Sequence, residues 1–477
     1  MTAPRLTVQQ IDAFERPFRL RLPFRFGSTT VTHGRQAVLR VRIGLQDGRS
    51  AEGYAAEVLA AKWFDKNPAL TDAQNIDQLR RALEIAGELY RAAGPATAYN
   101  LFAATYRSSL ACASAENLNS LVAGYGPALL DRAILDALCR ALNISFYQAI
   151  RNNLPGISPE NVAPDLSGFA IGAFLEGLRP DDWIRARHTV GLVDPIVASD
   201  QAANGRVNDG LPETLEEVIA TYGQRWFKLK ISGDIAFDLD RLARIATVLD
   251  RIPDAYHTTL DGNEQYENAE QATELWAAMS QHRDLQRLVA SVAFVEQPIK
   301  RQRALSESIA GLARHRPVII DESDGELDSF CQARALGYTG VSTKTCKGLY
   351  KSILNKARCA RWNGDGSDRY FLSAEDLTTL PGISVQQDLA LVNLLGIGHV
   401  ERNAHHFIDG FDERPDAEAR AFLAAHPDLY HVQNGRVRLR IDAGHLHIAS
   451  LACPGFATVT PPHLDTLARM PRSEWSR

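Results

Sequence analysis

Five short runs between residues 226 and 344 decide the fold, and each one carries charged or amide residues at its end. In chain order they read WFKLK (226–230), HTTLDGN (257–263), VAFVEQP (292–298), PVIIDES (317–323) and GVSTK (340–344). Their apolar residues are typical of strands that are buried on both faces of a parallel sheet. Between them lie stretches with apolar residues at three-to-four spacing, such as FDLDRLARIATVLDRI (237–252), which predict helices.

The same alternation continues on both sides of these runs. Further candidate strands are HTVGLVDPIVAS (188–199), RYFLSAED (369–376) and IGHVERNA (397–404). Eight strands alternating with helices indicate an α/β protein with a closed, TIM-like (β/α)7β barrel. We place this barrel at residues 156–410.

A different pattern precedes the barrel. LTVQQIDAF (6–14), FRLRLPFRF (18–26) and QAVLRVRIGL (36–45) read as β-runs that break at Gly27, Gly34 and the Asp47–Gly48 turn. Residues 71–152 have mostly helical spacing. Strands followed by helices predict a separate α+β unit over residues 1–155, and residues 411–477 lack the rhythm of the barrel.

The composition excludes several classes of protein. The chain has 477 residues, 52 Lys plus Arg and 57 Asp plus Glu, so its net charge is −5. Such a chain has no basic surface for nucleic acid. The sequence shows neither a leader-like segment nor an apolar run long enough to span a membrane. Its six Cys include no C-x-x-C pair, and we expect a soluble cytoplasmic protein with free thiols.

Polar residues stand at the ends of six successive barrel strands, where the active sites of such barrels lie. One such residue would be an ordinary solvated loop residue, but six in succession favour a site. The set is Lys228 and Lys230, Asp261 and Asn263, Glu296, Asp321 and Glu322, Lys344, and Glu375 with Asp376.

Three of the acids predict a cation site. Asp261, Glu296 and Asp321 end three consecutive strands, so they form one arc. Their mutual repulsion would neutralise at least one of them unless a cation joins them. Oxygen ligands without Cys or His suit Mg²⁺.

The lysines predict proton-transfer chemistry around that cation. Lys228 and Lys230 point to the same face of their strand, and Lys344 lies on the far side of the arc. A divalent cation on a substrate carboxylate stabilises the enediolate that forms when the α-proton leaves. Lys230 would take this proton with its pKa lowered by the cation and by Lys228, and Lys344 would act on the opposite face.

This order of motifs resembles the enolase superfamily, and within it the muconate-lactonizing-enzyme subgroup of the mandelate racemase family. The resemblance implies Mg²⁺ on Asp261, Glu296 and Asp321, with Lys230, Lys228 and Lys344 in the catalytic roles given above. It also implies that residues 1–155 cap the barrel, that residues 411–477 return to the cap, and that the protein forms a homo-oligomer.

Further residues follow from the same resemblance. Asn263 and Glu322 would support the site, and Glu375 would touch substrate from the seventh strand. Segments 22–34 and 53–68 resemble two loops that close over substrate, although ordinary packing explains their aromatic residues equally well. The candidate specificity residues there are Phe24, Arg25, Phe26, Lys62, Trp63 and Phe64.

The chain also departs from the family. The family usually has a Gly–Gly pair after the sixth-strand lysine, whereas this chain reads TCKGLYKS (345–352). Lys347 is therefore a rival to Lys344, and Lys351 stands nearby. For His405 and His406, a structural role or one that supports the site is favoured over a metal or catalytic role. His399 could reach the barrel mouth, and its role is left open. Segments 152–215 and 402–435 are longer than usual.

Three functions remain open from the sequence. The first is a Mg²⁺-dependent isomerase or lyase acting on the proton α to a carboxylate, by racemisation or epimerisation, cycloisomerisation or dehydration. The second is a metal-independent glycoside hydrolase with Glu296 and Glu375 as its carboxylate pair. The third is a non-catalytic protein that binds a metabolite. A small carboxylate is the expected partner in the first case.

Overall fold

The computed structural model describes residues 3–27, 29–202, 204–364 and 366–475. The strands of this part of the chain are β1 (Leu6–Phe26), β2 (Thr29–Leu45), β3 (Ser50–Val58), β4 (Trp183–Val190), β5 (Trp226–Lys230), β6 (His257–Asp261), β7 (Val292–Glu296), β8 (Val318–Ile320), β9 (Gly340–Thr343), β10 (Phe371–Ala374), β11 (His399–Glu401), β12 (Tyr430–Gln433), β13 (Arg436–Leu439), β14 (His445–His447) and β15 (Ala468–Arg469).

Helices fill most of the intervals between the strands. They are α1 (Ala61–Phe64), α2 (Asp72–Ala92), α3 (Ala98–Ala115), α4 (Ser120–Ala123), α5 (Tyr125–Leu142), α6 (Phe146–Arg151), α7 (Ile171–Gly177), α8 (Leu215–Tyr222), α9 (Ile235–Leu249), α10 (Ala269–Gln281), α11 (Gln286–Ser291), α12 (Arg301–Ala304), α13 (Ala310–Ala313), α14 (Ser329–Ala335), α15 (Leu349–Trp362), α16 (Ile383–Leu394), α17 (Ala404–Phe407) and α18 (Asp416–Ala425).

The N-terminal strands form the predicted antiparallel meander, in the order β15-β1-β2-β3. The Asp47–Gly48 turn closes the β2–β3 hairpin, with Gly48 at φ +89°. Gly34 does not break the chain as predicted, because it lies inside β2 and pairs with Phe18 of the long strand β1. Helix α5 packs so closely on β3 that a Cβ atom on Gly53 would meet Ala137 N at 2.2 Å.

The barrel has the predicted α/β architecture. Strands β4 to β11 are parallel neighbours in chain order, and β11 pairs with β4 to close the ring. The first strand lies earlier than predicted: it covers Trp183–Val190 rather than 188–199. The reason is that Gly191 begins a turn in which Asp194 Oδ2 accepts a hydrogen bond from Gly191 N at 2.7 Å.

The C-terminal chain contacts both the meander and the barrel. Strand β14 pairs antiparallel with the first half of β4, and β15 pairs with β1. Between them, Phe456 stacks on Phe146 with ring centroids 3.9 Å apart. The boundaries at residues 155 and 410 remain predictions. Within the described residues, no helix is both long and apolar enough to cross a membrane.

Candidate active site

The strand ends bring the predicted charged residues together. Lys230 pairs in register with Asp261 on the next strand, and Asp261 pairs with Glu296 on the one after. Asp321 directly follows β8 and completes the arc. All of these side chains are buried at the C-terminal end of the barrel.

The two candidate catalytic lysines stand at opposite ends of this arc. Lys230 Nζ donates hydrogen bonds to Asp261 Oδ2 at 2.5 Å and to Asn263 Oδ1 at 2.7 Å. Lys344 Nζ donates to both carboxylate oxygens of Asp321 at 2.6 Å. Burial opposes the charge on Lys344, but the Asp321 carboxylate outweighs it and raises the pKa of the amine.

Lys228 occupies the middle of the acidic ring. Its Nζ lies 2.9 Å from Asp261, 2.8 Å from Glu296, 2.6 Å from Glu375 and 3.0 Å from Glu401. Burial favours the neutral amine, but these four carboxylates raise the pKa of Lys228 well above its ordinary value. Lys228 is therefore a buried ammonium group, as its predicted role beside Lys230 requires.

Glu296 is the least satisfied acid of the ring. Lys228 Nζ is close to Oε2, yet neither Glu296 oxygen accepts a hydrogen bond of good geometry. Burial, followed by the charges of Asp261 and Glu375, raises the pKa of Glu296 well above its usual range. A buried carboxylate without hydrogen bonds is stabilised either by a further cation or by protonation.

The donor set suits Mg²⁺ in its chemistry. Asp261, Glu296 and Asp321 offer only carboxylate oxygens. Glu296 Oε1 has no hydrogen-bond partner, and Oε2 faces only the Lys228 ammonium at 2.8 Å. Within the described residues, however, no three acidic, His or Cys side chains are arranged around one point as metal ligands. The lysine ammonium groups lie between the carboxylates instead.

The backbone after these strands is shaped around the site. Asn263 and Gln297 both adopt positive φ values, +41° and +32°, a region that is uncommon for residues other than Gly, Asn and Asp. Gln297 Oε1 accepts a hydrogen bond from Asp321 N at 2.8 Å. The residue after Glu296 thus fixes the next acid of the arc.

Glu375 lies beneath the site rather than at its surface. It forms buried ion pairs with Arg187 and Lys228, and the residue exposed to the cavity from this strand end is Asp376. Glu401 was not among the residues predicted from the sequence, although it ends the eighth barrel strand as the other charged residues end theirs. Glu401 lines the cavity and accepts a hydrogen bond from Lys228 at 3.0 Å.

The rival lysines do not line the cavity. Lys347 Nζ lies 3.3 Å from Asp321 and 3.2 Å from Asp324, and Lys351 Nζ lies 3.4 Å from Asp324. Among the three, Lys344 is the one that lines the cavity. The geometry therefore favours Lys344 for the second catalytic role.

The candidate histidines lie outside the site. His399 stacks on Trp226 at a centroid distance of 4.0 Å. Both residues begin their strands, so His399 lies at the N-terminal end of the barrel. The candidate site lies at the other end, so His399 does not reach it as the sequence had left open. His405 and His406 are buried beside His188, whose ring centroid is 5.0 Å from that of His406.

A cavity of about 830 Å³ opens above the arc. Four of the six candidate specificity residues line it, namely Phe24, Phe26, Lys62 and Trp63. Arg25 is exposed on the other face of its strand, and Phe64 is buried against Tyr125 at 5.4 Å. The Trp63 ring lies 4.8 Å from Lys344 Nζ.

Two basic residues that were not predicted as site residues hold the Trp63 segment to the barrel. Lys66 Nζ lies 2.5 Å from Glu264 and 3.1 Å from Glu322. Arg301 donates hydrogen bonds to the carbonyl oxygens of Trp63 and Phe64 at 2.9 Å. Glu322 therefore supports the site through Lys66, and through a 3.2 Å hydrogen bond that it accepts from Asn263.

The fold of this chain is similar to that of several solved structures, although its sequence is not close to any known family. No protein-family model matches the sequence, and no curated protein matches it. Solved structures do match over nearly the whole chain. 2-Chloromuconate cycloisomerase from Rhodococcus opacus 1CP is 18% identical, with 97% of this chain and 100% of that chain covered and a TM-score of 0.58.

Two further structures agree with it. A dipeptide epimerase from Enterococcus faecalis V583, complexed with Mg and L-Leu-L-Tyr, is 13% identical, with coverages of 94% and 99% and a TM-score of 0.60. A member of the enolase superfamily from Roseovarius nubinhibens ISM is 14% identical, with both coverages 96% and a TM-score of 0.54. The chain therefore has the enolase-superfamily fold, as the resemblance of its motifs predicted.

Proposed function

We propose that this protein is a Mg²⁺-dependent isomerase or lyase that removes the proton α to a substrate carboxylate. The observation that carries the proposal is the placement of Lys230 and Lys344 at opposite ends of the buried arc formed by Asp261, Glu296 and Asp321. Both lysines line the same cavity, so a substrate held over the arc has one amine on each face.

In this proposal, the acids bind the metal and the lysines transfer protons. Asp261, Glu296 and Asp321 would hold Mg²⁺, which when bound supplies positive charge that stabilises the anion of the deprotonated substrate. Lys230 takes the α-proton at Nζ, and Asn263 Oδ1 orients that amine. Lys344 acts on the opposite face, either returning a proton or assisting a leaving group. The Trp63 ring lies over Lys344 Nζ.

Amines on both faces fit racemisation or epimerisation best among the possible outcomes, with cycloisomerisation and dehydration as the other two. The fold supports this reaction class, because cycloisomerases and epimerases share it. The substrate is a small carboxylate in this proposal, and assembly into a homo-oligomer remains a prediction.

The glycoside hydrolase alternative fits the geometry poorly. Lys228 Nζ lies between Glu296 and Glu375, at 2.8 and 2.6 Å, so this ammonium takes the space that a glycosidic bond would need. Neither glutamate lines the cavity. No feature of the described residues favours this function over proton abstraction.

The test is exchange of the α-proton in D₂O, followed by NMR across a set of 2-substituted carboxylates with Mg²⁺ present. Lys230→Met and Lys344→Met should each lower exchange by roughly 10²–10⁴-fold, the usual contribution of a general acid or base. Lys300→Met is the control, because the Lys300 side chain is 45% exposed and forms an ion pair with the exposed Glu267.

Chelation provides the second arm of this experiment. EDTA should abolish exchange, and added Mg²⁺ should restore it. Exchange that persists in EDTA, or that survives in both lysine variants at the rate of the Lys300→Met control, would contradict the proposal.

A further inference from the structure

The cavity above the arc has two chemically different walls. Its floor is polar and comes from the strand ends, with Lys230, Asp261, Lys344 and Asp376 among its residues. Its roof comes from the β1–β2 hairpin, from α1 with the residues before it, and from the start of α2, and it is largely apolar. The apolar roof residues include Phe18, Leu20, Phe24, Phe26, Val31 and Ile76.

Several of these roof side chains are left partly open. Leu20, Phe26, Val31 and Ile76 are only half-buried, although each of them faces a cavity rather than the bulk surface. Apolar surface that remains open within one concave site marks a binding surface for an apolar group.

The aromatic residues of the roof are held in place by their own packing. Phe24 contacts Phe26 at 5.9 Å and Phe407 at 4.7 Å between ring centroids. Val31 pairs in register with Phe24 across the hairpin. The rings therefore form a preformed apolar surface.

The basic residues of the roof are already engaged or stand at the rim. Lys62 Nζ donates to the carbonyl oxygen of Leu70 at 2.5 Å, and Arg35 donates to Glu15 at 3.0 Å. Arg19 and His33 line the rim and are exposed. The remaining polar residues of the roof are Thr29, which is partly buried, and Thr30, Thr32 and Asp72, which are exposed. Apolar side chains therefore make up most of the buried part of the roof.

We propose that the substrate carries a bulky apolar substituent, with its carboxylate on the floor and this substituent against Phe24, Phe26 and Val31. The inference rests on the proposed function for the placement of the carboxylate. A cavity of about 830 Å³ lies in the range that holds ligands far larger than a three-carbon acid, so size and polarity point to the same class of substrate.

The experiment compares three 2-hydroxy acids that share the same reacting carbon. They are lactate, gluconate with a polar body, and 2-hydroxy-4-phenylbutanoate with an apolar one. Binding is measured by calorimetry with Mg²⁺ present, and α-proton exchange is measured by NMR. The phenyl compound should bind at least roughly tenfold more tightly than gluconate and exchange its α-proton at least roughly tenfold faster. The reason is that each buried methylene group raises affinity by roughly fourfold, and this compound buries several apolar groups.

A matched pair of variants locates the contact. Val31→Asp puts a charge on the roof. It should weaken binding of the phenyl compound at least tenfold relative to binding of lactate, about the cost of burying an unpaired polar group. Val432→Asp makes the same change at a strand valine that is 59% exposed and remote from the cavity, and it should leave the preference unchanged. Phe24→Ala, which adds no charge, should also reduce the preference.

The outcomes separate this inference from the proposed function. Equal binding of gluconate and the phenyl compound, or no binding of either, would overturn the substrate class even if lactate exchanged its proton. Binding of the phenyl compound without exchange of any acid would uphold the substrate class and overturn the proposed reaction.

Discussion

At the scale of single residues, Lys228 organises the site. Four buried carboxylates lie within 3.0 Å of its Nζ, and burial of such a group without partners would be costly. Its ammonium balances Glu375, which follows β10, and Glu401, which ends β11. The same charge keeps the arc from being purely repulsive.

We expect Lys228→Met to destabilise the protein by about 3–5 kcal/mol, the cost of removing one partner from a buried ion pair. Urea unfolding at neutral pH measures the change. Lys300→Met, at an exposed pair, should change the free energy of unfolding by less than about 0.5 kcal/mol. A loss below about 1 kcal/mol for Lys228→Met would mean that the carboxylates are neutral or hydrated instead.

At the scale of elements, charged residues fasten the segment around α1 to the barrel, in addition to the burial of Trp63 and Phe64. Lys66 forms ion pairs with Glu264 and Glu322. Arg301 donates hydrogen bonds to the backbone carbonyl oxygens of Trp63 and Phe64. The position of Trp63 over Lys344 therefore depends on residues from two distant parts of the chain.

We expect Lys66→Ala to loosen this segment. Hydrogen exchange of the amides in residues 61–70 should become roughly tenfold faster or more, since hydrogen bonds to charged groups contribute about 1.5–3 kcal/mol. Mass spectrometry of the peptides measures it. Lys300→Ala removes a comparable but exposed pair with Glu267 and should leave these amides unchanged; equal acceleration in both variants would argue against the fastening.

At the scale of the whole molecule, the C-terminal chain ties the meander and the barrel together. Arg469 of β15 donates a hydrogen bond to Asp12 of β1 at 2.7 Å, and Arg40 donates to the same carboxylate at 2.7 Å. Burial alone would raise the pKa of Asp12, but the hydrogen bonds from these two arginines lower it below its ordinary value of 3.8.

This shift gives a pH dependence of known sign. The folded state prefers the charged form of Asp12, so its stabilisation is complete above pH 3.8 and is lost as the pH falls through the lower pKa of the folded state. Asp12→Asn should cost about 1 kcal/mol in urea unfolding at pH 6, and the difference from the parent protein should shrink below pH 3.8. Asp416→Asn, at an exposed pair with Arg420, is the control. A difference that stayed constant with pH would contradict the assignment.

Much of the fold could be read from local patterns. Buried strands that alternate with amphipathic helices predicted the barrel, because each pattern reflects the faces that must leave water. The strand-end residues were also visible, since the ends of parallel strands meet at one face whatever the loops do. The first barrel strand was misplaced because the apolar run after Gly191 looks like a strand in sequence and forms a turn in the structure.

The sequence by itself determined the architecture, the acidic arc and the two lysines that flank it, because these depend on periodicity and strand order. Only the tertiary structure decided which lysine faces the cavity, that Glu375 lies beneath it, and that Lys66 and Arg301 fasten Trp63. It also decided that an apolar roof faces a charged floor. These features depend on contacts between residues more than 100 positions apart, and such distances leave no signal in the local spacing of residues.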